Sequence, residues 1–241
     1  MWTVAHYQPT ALFSLKPATA TSSGGKTLIA PTPFALKMAL LDAALRTRGE
    51  AAVKPIWKDI RDLSIRLQLP AQIAVINTFT KIVRPKKNGP ADDNGSGLLA
   101  PLGSTIAYRE YVSFGGPLGI ALQSPAGDEL PATLTELFQH INYLGKRGGF
   151  MQLLGPPEVV DDSGVADDQG WVTLTADQAS FRLGGTLQML DDCGQRLSFD
   201  QVNIYNSKRI TLGKDRVLRY IILPHTMTRS SRSFSLYESH P

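Results

Sequence analysis

Hydrophobic positions recur along this chain in two rhythms, and the switch between them sets out its elements. From Trp2 to Leu15, β-formers and aromatics broken by Pro9 predict an opening strand with an irregular middle. A loop rich in Thr, Ser, Ala and Gly follows from Lys16 to Pro31. Thr32 before Pro33 reads as a helix N-cap with proline in the first turn. Phe34, Leu36, Ala39, Leu40 and Ala43 then fall at helical spacing until Arg46, Arg48 and Gly49 end the pattern. A second helix is expected over 52–69, with Ile56, Ile60, Leu63 and Leu67 on one side and Pro70 closing it.

Strand signals then dominate. Ile73 to Val83 and Ile106 to Leu122 are β-rich, the latter interrupted by Gly115, Gly116 and Pro117, and the two runs are expected to pair. Leu134 to Leu144 reads as a short amphipathic helix stopped at Gly145, and Phe150 to Leu154 as one more strand. Strand, helix, strand, strand, helix, strand is the order of the ferredoxin-like unit, so the fold class is α+β. The expected architecture is one four-stranded sheet with helices on one face and an extra helix inserted. Beyond Gly155 the pattern changes. The acidic stretch from Glu158 to Gln169 is expected to be a mobile loop, and 171–175, 201–205 and 217–223 to be strands of a smaller β-rich lobe. The chain therefore divides into 1–155 and 156–241.

Composition narrows the function classes. The 241 residues, 42% of them hydrophobic, suffice for a sizeable core. One cysteine, Cys193, excludes an intramolecular disulfide and multi-cysteine zinc sites, and points to a reducing compartment. With no long apolar run and no leader pattern, the expected location is the cytoplasm, without membrane attachment. Gly24-Gly25-Lys26-Thr27 imitates the end of a phosphate-cradling loop, but Pro31 and Pro33 interrupt the helix such a loop needs. The four histidines lack metal-ligand spacing, and Cys193 sits in an acidic turn that would not lower its pKa, so neither a metal nor another cofactor is expected. His6 beside Tyr7 has the chemistry for acid-base cleavage of RNA, although a histidine on a strand is more often structural.

Cations are more informative than the formal net charge of +4. Lys81, Arg84, Lys86 and Lys87 gather where one strand leaves the sheet, and Tyr108-Arg109-Glu110-Tyr111 resumes the pair. Cations neutralise phosphates while Tyr108 or Tyr111 offers a ring for base stacking, the combination suited to single-stranded RNA. In Gly145-Lys146-Arg147-Gly148-Gly149-Phe150, glycines let the backbone approach a phosphodiester and Lys146 with Arg147 supply charge. Lys16 and Lys26 add cations in the Thr/Ser-rich loop. The C-terminal part adds Lys208, Arg209, Lys214, Arg216, Arg219, Arg229 and Arg232.

The Thr/Ser-rich loop leading into Pro31-Thr-Pro-Phe-Ala-Leu-Lys-Met-Ala-Leu-Leu41, the basic hairpin, Tyr108-Arg-Glu-Tyr111 and Tyr143-Leu-Gly-Lys-Arg-Gly-Gly-Phe150 together resemble the repeat-associated RAMP superfamily. Within it they resemble the Cas-five family of type I Cascade complexes. The resemblance implies a ferredoxin-like (RRM-type) palm and an inserted β-hairpin thumb, about 80–108, holding the 5′ handle of the crRNA. It further implies a non-catalytic antiviral subunit that contacts the backbone (Cas-seven) and large (Cas-eight) subunits and meets target DNA through the complex. One branch of the family cleaves precursor crRNA as a metal-independent endoribonuclease, through a Tyr, Lys and His group whose place in this chain the motifs do not fix. Sequence recognition in such a complex is delegated to base pairing, so backbone grip and shape suffice for the protein.

Overall fold

A computed structural model describes residues 1–20, 25–85, 102–176 and 184–239. In chain order the elements are β1 (Trp2–Pro9), α1 (Pro33–Arg61), β2 (Ser64–Gln68), β3 (Gln72–Pro85), β4 (Leu102–Phe114), β5 (Leu118–Gln123), α2 (Ala132–Thr135), β6 (Met151–Leu153) and β7 (Glu158–Val160). They continue with β8 (Trp171–Thr173), β9 (Thr186–Cys193), α3 (Phe199–Val202), β10 (Arg216–Leu223), β11 (His225–Ser230) and β12 (Phe234–Ser239). The fold is α+β with antiparallel sheets and few helices.

The start of α1 follows its sequence signature: the Thr32 hydroxyl accepts the Ala35 amide at 3.1 Å, and Pro33 occupies the first turn, where its missing N–H costs nothing. Gly49, at φ 76°, kinks the helix without ending it, and Val53, Trp57 and Ile60 carry the buried stripe onward to Arg61. The helix expected over 52–69 is therefore corrected: it stops at Arg61, and 64–68 is strand β2, hydrogen-bonded to β5 on one side and β8 on the other. Leu63, Ile65 and Leu67 satisfy a period of two as well as Ile60, Leu63 and Leu67 satisfy a helix, and partners on both edges decide for the strand.

The large sheet has the order β6-β1-β5-β2-β8, with β7 also pairing β1. It is larger than the four strands expected, and of the paired β-rich runs only 118–123 enters it. The long hairpin β3–β4 instead lies in a second sheet of order β11-β12-β3-β4, and β9 with β10 forms a two-stranded ribbon against α1. Alternation along β1 sends Ala5 and Tyr7 into the main core and Trp2 and Val4 to the opposite face, where Ala121, Val165 and Trp171 cover them.

Three further expectations are corrected. The segment over 134–144 forms only one α-turn and a 3₁₀ turn, Glu136–His140, before Ile141 and Leu144 continue buried in extended chain. The acidic stretch is not a mobile loop but a packed cover. Glu158–Val160 joins β1, Asp161 caps the next turn through Ser163 N and Gly164 N, Trp2 Nε1 donates to Asp162, and Val165 is fully buried. The strand expected over 201–205 is α3 and a turn, because Ser198 and Gln201 form a reciprocal capping box. The chain beyond 156 contributes strands to all three sheets.

Candidate nucleic-acid interface

One face of the β3–β4 ribbon begins in the core and ends in solvent. Its root carries buried Ile73, Val75, Val112 and Phe114; the same alternation then presents Asn77 opposite Glu110, Phe79 opposite Tyr108 and Lys81 opposite Ile106. Phe79 and Tyr108 are 57% and 69% exposed and stand edge to face at 5.6 Å, leaving ring surface open. A cleft of 710 Å³ at this root is bordered by Lys26, Phe79, Tyr108, Arg109, Glu110 and Arg232. Tyr111 lies on the other face, half-buried opposite Ile76, so Tyr108 is the open platform and Tyr111 is not. The backbone of Arg84 pairs with Gly103 next to the ribbon's end at Pro85; Lys86 and Lys87 lie outside the described residues.

Glu110 is the only acidic residue in β3 and β4, and it is not a stray charge. Its carboxylate accepts Lys26 Nζ at 2.6 Å and the Thr27 amide at 2.9 Å, while its own amide donates to Gly25 O at 2.7 Å. Gly25 is required there, since a Cβ would stand 2.1 Å from Tyr108 O. The Glu110 carboxylate is nearly buried, yet the Lys26 side chain is 81% exposed, so the ammonium is fixed at its root and open to solvent. The hydrogen bond and then the charge of Glu110 hold the Lys26 pKa above its ordinary value.

From Thr27 the network reaches the glycine-rich turn. Thr27 Oγ1 accepts the Leu15 amide at 2.9 Å, and Leu28 N donates to Leu15 O at 2.7 Å. Phe13 exchanges both backbone hydrogen bonds with Val112 of β4. The strap 13–16 thus runs along the root of the hairpin. Its other side meets the turn: a Cβ on Gly149 would lie 2.9 Å from the Phe13 ring, and Lys16, Gly145 and Lys146 line one small pocket with Ser14 and Thr32. Leu144 N to Gly149 O and Gly149 N to Lys146 O close the turn, and Gly145 and Gly148 take the positive φ it needs. Lys146, Arg147, Gly148 and Phe150 are left exposed.

The structure therefore brings Lys16, Gly145 and Lys146 together, and Lys26 and Tyr108 together, with one strap joining the two groups; Arg109 borders the cleft from the face of β4 that carries Tyr111. Phe79, Glu110 and Arg232 complete the cleft without having been singled out as site residues. Phe79 could have been found by counting out the hairpin register from Gly115, and Glu110 from its place in the Tyr-Arg-Glu-Tyr motif. His6 and Tyr7 point to opposite faces of β1. Tyr7 is fully buried and donates to Phe138 O at 2.7 Å, and burial raises its phenol pKa; His6 is exposed beside Trp171. Burial likewise pushes the Cys193 thiol up to about 12. Among the described residues, no helix is long and apolar enough to cross a membrane.

The chain matches no protein-family model. A curated relative, the CRISPR-associated protein Cas5 of Archaeoglobus fulgidus, is 24% identical over 184 residues, covering 74% of this chain and 73% of the relative. A solved CRISPR RNA-guided surveillance complex contains a chain similar at a TM-score of 0.48 and 14% identity, over 99% of this chain and 90% of that one. A crystal structure of a CRISPR protein from Archaeoglobus fulgidus gives 0.46 and 11%, over 100% and 92%.

Proposed function

We propose, from the premise that this chain is a relative of the Cas5 proteins, that it is a non-catalytic RNA-binding subunit of a type I CRISPR Cascade complex and holds the 5′ handle of the crRNA. The observation that carries this is the strap 13–16, which ties the hairpin root to the glycine-rich turn through Val112, Thr27 and Gly149. It sets exposed lysines, bare backbone and an open ring to either side of one strap, the grouping that suits gripping a single strand by its phosphates and a stacked base.

Strand order supports a ferredoxin-like palm. β6-β1-β5-β2 is the order of a split β-α-β unit, with α1 between β1 and β2 and the 132–140 helical segment between β5 and β6. β3 and β4, inserted between β2 and β5, are the thumb. In this reading the neighbours are the Cas-seven backbone subunit and the Cas-eight large subunit, target DNA is met through the assembly, and the complex works in the cytoplasm. The opposite facing of His6 and Tyr7, with the Tyr7 phenol engaged by Phe138 O, supports holding rather than cleaving RNA.

Filter-binding titration of repeat-derived handle RNA over a range of salt tests this. Replacing Lys26, Lys81 and Lys146 by Ala should reduce the slope of log K against log salt by about 0.7 for each phosphate that is no longer neutralised. It should also weaken binding at physiological salt by roughly 10–100-fold. An unchanged affinity and slope overturns the assignment. In EDTA the RNA should stay intact; discrete cleavage products would overturn the non-catalytic part.

A further inference from the structure

Ile204 and Tyr205 are 86% and 93% exposed, the most exposed large hydrophobic side chains among the described residues. They are not on a loose loop. Val202 before them and Ile210 after them pack against the core, and Gln201 Nε2 donates across the loop to Arg209 O at 3.2 Å. Asn203 Oδ1 accepts the Tyr205 amide and Asn206 Oδ1 the Lys208 amide, each at 3.0 Å, while Asn206 N donates to Asn203 O. The backbone therefore fixes an aliphatic and an aromatic side chain outward when both flanks of the same loop are anchored inward. Such a preorganised apolar pair loses little freedom when it fills a pocket.

Charge around the pair selects the pocket. From 201 to 214 the chain has no Asp or Glu and exposes Lys208, Arg209 and Lys214; Asp200 holds Lys208 Nζ at 2.9 Å, which leaves Arg209 and Lys214 as the positive charge beside the pair. The loop also meets a different part of α1 from the lysine surface. It sits by the middle of α1, where Lys54 meets Asp200 and Glu50 meets Asn203, whereas Ala35 borders the Lys16–Lys146 pocket. Those positions lie on opposite sides of the α1 kink at Gly49.

We infer that the 203–206 knuckle is a protein-docking site. Its occupant is a neighbouring protein subunit of the same complex that offers an apolar pocket rimmed by carboxylates. This rests on the proposed assembly role. An aliphatic side chain beside the ring argues for a protein pocket over a base, since Ile204 has no face on which to stack.

The experiment reconstitutes the full chain with crRNA and the protein subunits encoded beside it, and compares wild type with Ile204→Ser/Tyr205→Ser. Because both side chains are in solvent, the variant should keep its thermal midpoint and its affinity for handle RNA, while incorporation into the complex falls at least tenfold. Arg209→Glu/Lys214→Glu should reduce incorporation less, and salt should weaken wild-type incorporation more than that of this charge variant. Normal incorporation of the serine variant overturns the inference. So does a fall in RNA affinity, which would make Tyr205 a base platform, or the disappearance of a concentration-dependent dimer in sedimentation, which would make a second copy the occupant. If the wild-type chain itself neither binds RNA nor assembles, the subunit role fails, and the docking role with it.

Discussion

Two regions of this molecule use the same charged residue types to opposite ends. At the hairpin root one carboxylate, Glu110, faces Lys26, with Arg109 and Arg232 also bordering the cleft, and the Lys26 side chain is 81% exposed. Between α1 and the β9–β10 ribbon, Lys37 and Asp192 are each 2% exposed and meet at 2.7 Å, Arg219 makes a second ion pair with Asp192, and Arg216 joins Asp191 while lying over the Phe34 ring. The first arrangement leaves positive charge available to a ligand. The second neutralises its buried carboxylates with one fully buried lysine and two partly buried arginines. A cation-rich sequence therefore says little about ligand binding until burial and carboxylate partners are known.

That contrast can be broken most forcefully at Asp192. Asp192→Ala strands Lys37 in the interior and should cost about 3–5 kcal/mol, read by urea denaturation, while handle-RNA affinity of the folded protein is unchanged. A destabilisation below about 1 kcal/mol would mean that the buried pair is no stronger than a surface one.

Cys193 sharpens the same side of the comparison through pH. The unfolded thiol ionises near 9.0 and the folded one near 12, so burial favours the protonated native form. The associated stability is complete below pH 9 and is lost as pH rises toward 12. Cys193→Ala should therefore flatten the alkaline fall in stability, by about 2–3 kcal/mol at pH 11 relative to pH 8. Parallel curves for the two proteins would refute the cause assigned to the shift.

On the exposed side, Tyr108→Ala should leave the thermal midpoint within a degree or two and cost about 1–3 kcal/mol in handle binding, the worth of one stacked base. Tyr111→Ala should instead lower stability more than it lowers affinity. The smallest effect is expected at the Lys26 ion pair. Glu110→Gln keeps an acceptor for the Thr27 amide and should lower stability by less than about 1 kcal/mol. Glu110→Leu leaves that amide unpaired and should cost about 1–3 kcal/mol. Equal effects of the two would show that the charge, rather than the hydrogen bond, holds the strap to β4.

Much of the candidate surface was legible before folding. The cations at 81 and 84, the ring at 108 and the glycine turn at 145–149 were visible because turns, strand pairing and charge clustering are local. The strap that lies between the hairpin root and the glycine turn was not, because Phe13, Leu15 and Thr27 look like ordinary loop residues until their bonds to Val112 and to one another are seen. Glu110 was visible only as part of a Tyr-Arg-Glu-Tyr motif, since nothing in the spacing says that a carboxylate 84 positions from Lys26 will meet it. The acidic stretch after 158 misled for a related reason: polarity suggests solvent, yet Val165 and the partners of Asp161 and Asp162 make it a lid on Trp2.

The amino-acid order alone determined the Thr32–Pro33 helix start, which rests on chemistry within a few neighbouring residues, and the pairing of the two long β runs, the α+β class and the family likeness, which rest on the order of such local signals along the chain. Tertiary packing decided that 64–68 is a strand, that the hairpin belongs to its own sheet, and which lysines face solvent rather than a buried carboxylate. Short apolar segments satisfy more than one periodicity, and a charged side chain's free energy depends on how much water remains around it, a quantity that exists only once distant parts of the chain have packed.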